Sequence, residues 1–209
     1  MASFPTSASW PQPVLVATHG AGGSGRWHCE HWRRLLGQRG VILCPNGKPL
    51  GGGQGHYYPN HFELERVVLG AIESLEAQFP EHVDSTSMVF AGYSQGATMG
   101  ALMAVKHAKR FPRLVLVEGG FKQWNVGIGI KYRRSGGDRT LFACGTAGCE
   151  KHARQNVEWL TQAKLGARTV HASGTGHTYG GNVAVRVREA LPWILRGDPR
   201  WQLQPGSAP

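Results

Sequence analysis

The chain reads as a three-layer α/β/α sandwich on a mainly parallel six-stranded sheet, and three observations carry that reading. Short apolar runs recur along the chain, stretches of helical period separate them, and 30 glycines cluster in short runs rather than at a fixed period. Strands this apolar are buried on both faces, which requires helices above and below a parallel sheet. Right-handed crossovers then build the sandwich.

Taken in order, VLVATH (14–19) is the first strand, and it runs into glycines. Residues 26–38 read as a helix with Trp32, Leu35 and Leu36 on one side, and VILCP (41–45) is a strand stopped by its proline. After a glycine-rich loop, Asn60 and Glu63 have capping-box spacing, with Leu64, Val68, Ala71, Ile72, Leu75 and Phe79 following at helical intervals until Pro80. MVFAGY (88–93) is the third strand, leading into a helix of small and apolar residues over 95–110. RLVLVE (113–118) and TLFACG (140–145) are the fourth and fifth strands. A helix over about 151–165, a sixth strand ARTVHA (167–172) and a final helix over about 182–195 complete the core. Residues 1–12 and 197–209, rich in Pro, Ser and Gly, read as frayed tails on a single domain of 209 residues with its core at about 14–195.

Composition excludes several classes. Hydrophobic residues make up 41% and charged residues 17%, which suits a folded chain and not a disordered one. The net charge is +10, but lysines and arginines are scattered in ones and twos, as at Arg33-Arg34 and Arg133-Arg134. No basic run alternates with aromatics, so no nucleic-acid partner is expected and the charge reads as solvated surface. No run of 18 apolar residues is present, so no membrane span is expected, and MASFPTSASWPQP lacks the pattern of a secretory signal. A monomer is expected. Cys29, Cys44, Cys144 and Cys149 match no zinc spacing, and neither a metal nor a cofactor is expected. Cys144 and Cys149 flank one turn that a bridge would close, and Cys29 with Cys44 needs the fold to join them. Free buried thiols are the competing reading, and with it the compartment stays open.

The chemistry centres on Gly92-Tyr93-Ser94-Gln95-Gly96, a G-x-S-x-G match. In a glycine-rich chain a bare match is weak. This one follows an apolar strand directly and opens a helix, as a nucleophile elbow requires, and that placement makes Ser94 the candidate nucleophile. His177, in GTGHTYGG after the sixth strand, stands late in the chain where the order nucleophile, acid, base puts the general base. The acid is the weak point. Among 13 acidic residues only Glu118, ending the fourth strand, and Glu150, after the fifth, follow the nucleophile at a strand's carboxyl end. Glu118 is preferred because it comes straight off a strand and Gly119-Gly120 lets the chain turn away; Glu150 stays as the alternative. His19-Gly20-Ala21-Gly22-Gly23-Ser24-Gly25 suits an oxyanion loop, with the amides of Ala21 and Gln95 as donors. A phosphate loop is disfavoured, since no Gly-Lys-Ser/Thr closes it.

HGAGGSG, GYSQG and GTGHTYGG, in this order and on these elements, resemble the α/β-hydrolase superfamily, in particular its small carboxylesterase, phospholipase and acyl-thioesterase branch. The resemblance covers about residues 14–195. It implies a minimal fold without a large lid, acylation of Ser94, proton shuttling by His177 and an oxyanion held by Ala21 and Gln95. It also implies that the strands preceding the oxyanion strand in larger relatives are missing. It departs at Gly145-Thr146-Ala147-Gly148, where the branch usually has G-T-x-D and this chain has Gly148 in the aspartate's place. Tyr57, Tyr58, Phe121 and Trp124, on the two longest irregular stretches, would line an acyl or aromatic pocket or simply pack. The implied substrate is a small or polymeric ester; an amidase or peptidase, and a binding protein with impaired chemistry, remain the alternatives.

Overall fold

A computed structural model describes residues 1–6, 9–53 and 55–202. Its order is β1 (Ala2–Ser3), β2 (Gln12–Thr18), α1 (Gly25–Leu36), β3 (Val41–Leu43), β4 (Lys48–Pro49), β5 (His56–Tyr57), α2 (His61–Gln78) and β6 (Val83–Tyr93). There follow α3 (Gln95–Lys106), β7 (Arg113–Val117), α4 (Val126–Arg134), β8 (Arg139–Cys144), α5 (Ala147–Gln162), β9 (Gly166–His171) and α6 (Gly181–Ile194). The main sheet has seven strands in the order β1-β3-β2-β6-β7-β8-β9, parallel throughout except that β1 runs antiparallel to β3. Strands β4 and β5 form a separate ribbon.

Alternation along the strands decides which helix covers which face. Val14, Val16, Leu114 and Leu116 point to the side covered by Leu64, Val68 and Ile72 of α2, Ala101 and Ala104 of α3, Tyr132 of α4 and Leu160 of α5. Their neighbours Leu15, Ala17, Val115 and Val117 point to the other, under Trp32, Leu35 and Leu36 of α1 and Val183, Val187 and Leu191 of α6. That period of two, with both sets buried, is why β2, β3, β7, β8 and the second half of β6 read as apolar runs, whereas the edge strand β9 is only partly buried. The chain passes from β2 outward to β3 and then returns to β6 on β2's other side. The carboxyl ends of β2 and β6 therefore border a topological switch point, where open α/β sheets bind ligands.

Six strands were expected where seven form, and three of the extra elements have visible reasons. Strand β1 is two residues long, too short for any pattern, and exists by pairing Ala2 and Ser3 with Leu43 and Ile42. The β4–β5 ribbon is equally short. Helix α4 lies within an expected loop, capped by Asn125, whose side chain accepts from the amide of Ile128 at 2.9 Å; its glycines at 127 and 129 hide the helical period.

The tails are also tied down further than expected. Asp198 caps a 3₁₀ turn over Pro199–Trp201, and Trp201 is buried. Asp198 takes a charged hydrogen bond from the buried Arg113 at 3.0 Å and others from Arg200 at 2.6 and 2.8 Å, while Arg200 reaches Asp84 at 2.9 Å. Burial opposes ionisation of Asp198, but Arg200 outweighs it and holds the carboxyl below its ordinary range. Asp198→Ala, which leaves Arg113 only the half-exposed Asp138 at 3.3 Å, should cost about 2 kcal/mol in urea unfolding. Residues 203–209 lie outside the described residues.

Two disulfides are present. Cys29 on α1 joins Cys44 after β3, with Cα atoms 5.8 Å apart, and Cys144 at the end of β8 joins Cys149 on α5, at 5.5 Å.

Candidate active site

Strand β6 ends at Tyr93 and α3 begins at Gln95, leaving Ser94 alone to make the turn at φ 51, ψ −111. A side chain held at positive φ costs about 1–3 kcal/mol, and the surroundings must enforce it. They do so through the Ser94 amide, which donates to the Val117 carbonyl at 2.9 Å, and the Ser94 carbonyl, which accepts from Thr98 at 3.0 Å. The two glycines of the motif are there for passage. A Cβ on Gly92 would stand 2.6 Å from the Ala97 Cα, and one on Gly96 would stand 2.6 Å from the His19 carbonyl oxygen. Strand, helix and glycine loop meet too closely for any side chain at either position.

His177 reaches the same point from the loop after β9. Its Nε2 lies 2.9 Å from Ser94 Oγ, and its Nδ1 lies 3.0 Å from Oε2 of Glu118. The Tyr93 hydroxyl donates to the His177 carbonyl at 2.9 Å, and the Tyr93 ring lies 4.7 Å from that of Tyr179, which stacks on His28 at 4.6 Å. An aromatic wall thus backs the loop.

Glu118 is the second non-glycine residue at positive φ, 51°, where β7 hands over to Gly119-Gly120. Its side chain is 2% exposed, against 52% for His177. A carboxylate so buried needs all its lone pairs engaged. Oε1 accepts from the amides of Gly145 at 2.5 Å and Thr146 at 2.9 Å, while Oε2 accepts from the Thr146 hydroxyl at 3.0 Å and faces His177. An acceptor on the Nδ1 side keeps the proton there and leaves the Nε2 lone pair for the Ser94 hydroxyl.

Of the two acids weighed from the sequence, Glu118 alone reaches His177. Glu150 is engaged elsewhere, with His171 at 2.9 Å and Arg154 at 2.6 Å. The alternative acid is thereby corrected: Glu150 lies on the first turn of α5, whose direction carries its side chain to β9 rather than to the site. Gly148, in the place of the expected aspartate, is exposed.

The glycine loop lies against the elbow. A Cβ on Gly20 would be 3.1 Å from that of Ser94. The Gly20 carbonyl is held from two sides, by His19 Nδ1 at 2.8 Å and by the Gly23 amide at 3.0 Å. In a trans peptide the N–H points opposite to the C=O, so this grip also aims the Ala21 amide. Neither that amide nor the Gln95 amide has an acceptor among the described residues. His19 is fully buried, stacks on Tyr58 at 4.7 Å and accepts at Nε2 from the Gly47 amide at 3.2 Å. Burial lowers its pKa, which keeps the ring neutral and Nδ1 the donor. The Gln95 side chain accepts from the Tyr58 amide at 2.8 Å. His19, Thr146 and the Gln95 side chain were not singled out from sequence. For His19, its place next to the glycine run was the available signal, and for Thr146 its place in Gly145-Thr146-Ala147-Gly148, whose departure from G-T-x-D points only to the missing aspartate.

A cleft of about 400 Å³ opens beside Ser94, lined by Gln95, Thr98, Met99, Phe121 and Gln123. Of the four aromatics expected there, Phe121 is present, with its ring stacked on His152. Tyr57 is half-buried on β5 and does not line this cleft. Tyr58 and Trp124 are corrected to packing residues: Tyr58 is fully buried with its hydroxyl donating to Pro45, and Trp124 is set edge-on against Tyr132. Their large apolar rings are worth more to the core than to an open cleft.

The buried histidines behind the aromatic wall should make the fold less stable in acid. Burial, helped by the charges of His19 and His31, lowers His28 to about 3. Burial, helped by Arg34 and Arg188, lowers His31 to about 4. Between pH 6.5 and 4 the unfolded chain therefore binds protons that the folded one does not, and stability falls as pH falls through that window. The two together should cost about 4 kcal/mol at pH 5 relative to neutral pH. His28→Phe, which keeps the stack on Tyr179, should recover about half of that loss in melting curves recorded at pH 7 and pH 5.

No protein-family model matches the chain, and no curated protein does. Solved structures do. Esterase PE8 superposes with a TM-score of 0.70 at 17% identity, over 93% of this chain and 98% of that one. A carboxylesterase from Bacillus cereus gives 0.67 at 16% identity over 93% of each chain. Acyl-protein thioesterase 2 from Zea mays gives 0.66 at 14% identity, over 93% of this chain and 98% of that one. The fold is that of the small α/β-hydrolases, with a mostly parallel central sheet between helices and no large lid among the described residues.

Proposed function

We propose that this α/β-hydrolase-fold chain is a serine hydrolase that cleaves carboxylic esters through an acyl-enzyme on Ser94. The observation that carries the reading is the unbroken relay from Ser94 Oγ to His177 Nε2 at 2.9 Å and from His177 Nδ1 to Glu118 at 3.0 Å. The names of the structural neighbours, esterases and a thioesterase, support the same reaction class.

In this mechanism Ser94 Oγ attacks the substrate carbonyl while His177 Nε2 takes its proton, and Glu118 balances the imidazolium that forms. The carbonyl oxygen gains negative charge as the amides of Ala21 and Gln95 stand without other acceptors, and each such donor is worth about 3 kcal/mol in the transition state. His177 passes the proton to the departing alkoxide or thiolate. Water then repeats the sequence and frees the acid. Each step uses only protein groups and water, so the reaction needs neither metal nor cofactor. The open cleft beside Met99 and Phe121 suits a short acyl group or an aromatic or polymeric ester. Two disulfides fit an oxidising, extracytoplasmic setting.

The test is turnover of p-nitrophenyl acetate and butyrate, together with stoichiometric labelling by a fluorophosphonate. Hydrolysis of both esters with one label per chain, on Ser94, is the expected result. A folded protein that neither turns over the esters nor takes the label overturns the proposal.

A further inference from the structure

The acid of the site comes from β7, yet the groups that bind its carboxylate come from the next strand's turn. Three hydrogen bonds to Glu118 arise from two adjacent residues, Gly145 and Thr146. Those two residues are enclosed by the Cys144–Cys149 disulfide, whose ends are five positions apart. Both sulfurs and a Glu118 carboxylate oxygen lie within 4.8 Å of one another.

Thr146 couples the bridge to the acid. Its hydroxyl accepts from the Cys149 amide at 3.3 Å as the N-cap of α5, and its own proton is thereby directed to Glu118 Oε2 at 3.0 Å. Cys144 is anchored through its carbonyl, which accepts from Ala172 at 2.8 Å, so one end of the bridge sits on the sheet and the other on the helix. We infer that the Cys144–Cys149 disulfide is a positioning clamp for Glu118, so that reactivity of Ser94 depends on the bridge being closed. The inference rests on the serine-hydrolase reading. Without the bridge, the turn keeps the Thr146 cap and the Ala172–Cys144 hydrogen bond but loses the covalent link between the end of β8 and α5. The first turn of α5 can then shift against the strand end, and the Thr146 amide and hydroxyl no longer stay fixed on the carboxylate. The carboxylate then loses its fixed orientation, and with it the alignment of His177.

The test uses a Cys29→Ser/Cys44→Ser background, in which Cys144–Cys149 is the one remaining disulfide. A dithiol reductant opens it in a balanced exchange: the reductant gives two electrons and two protons, each cysteine sulfur leaves as a thiol, and the dithiol closes to its own cyclic disulfide. Reduction is expected to slow fluorophosphonate labelling of Ser94 and lower kcat by about tenfold or more, with KM nearly unchanged. Far-ultraviolet circular dichroism should not change, and reoxidation should restore both rates. Thr146→Val should produce the same kcat loss with the bridge intact, and Thr146→Ser should rescue it. Labelling and kcat that stay the same on reduction, or fall only together with loss of the folded signal, overturn the clamp. A protein that takes no label in either redox state overturns the hydrolase reading and takes this inference with it.

Discussion

Ser94→Ala and His177→Ala should each remove about six orders of magnitude from kcat on p-nitrophenyl butyrate, leaving a residue of activity from binding and the oxyanion donors alone. The two losses should not add, because the hydroxyl and the imidazole act as one unit: without its base, the hydroxyl at 2.9 Å from Nε2 has nowhere to send its proton. Ser94→Ala keeps a Cβ at the same strained turn, so its melting temperature should stay near that of the parent. Steady-state kinetics with active-site titration reads the effect, and a variant at either position with unchanged turnover would reject the assignment.

Glu118→Gln should cost about four orders of magnitude in kcat, and the surrounding hydrogen bonds say why. The amides of Gly145 and Thr146 both point at Oε1, so the glutamine must present its carbonyl oxygen there and its NH₂ at the Oε2 position. That NH₂ donates to His177 Nδ1, which moves the ring proton to Nε2 and removes the lone pair that Ser94 needs. The geometry survives and the tautomer is wrong, a substitution that costs about 10⁴ in serine proteases. Glu150→Gln is the contrast: its partners are His171 and Arg154, so kcat should hold within about twofold. A larger loss at residue 150 than at 118 would reverse the choice of acid.

The layered fold was legible because buried inner strands need no long-range information to be seen: they are runs of apolar residues, most with a glycine or proline at one end. Ser94 was legible for the same local reason, since an elbow needs its strand, its two small neighbours and its helix contiguous in sequence. His177 followed from chain order alone. Glu118 was legible only as one of two acids. Its strand end and Gly119-Gly120 favour it locally over Glu150, but what separates the two is the direction each side chain takes once β7, β8 and α5 are packed. The aromatics divided similarly: composition marks Tyr58 and Trp124 as apolar bulk without saying whether that bulk faces a cleft or a core.

By itself the sequence determined six strands of the main sheet, the five longer helices, and the candidate nucleophile and base, all of which depend on periodicity or on neighbours along the chain. Only the tertiary structure decided that Glu118 is the acid in reach, that Gly145 and Thr146 hold it, that His19 grips the glycine loop, and that the cysteines pair as 29–44 and 144–149. The reason is one of distance. These contacts join the ends of separate strands across the sheet's carboxyl edge, where a hydrogen bond is made or missed over a few tenths of an ångström, and no pattern along a single strand encodes where its neighbour's end will stand.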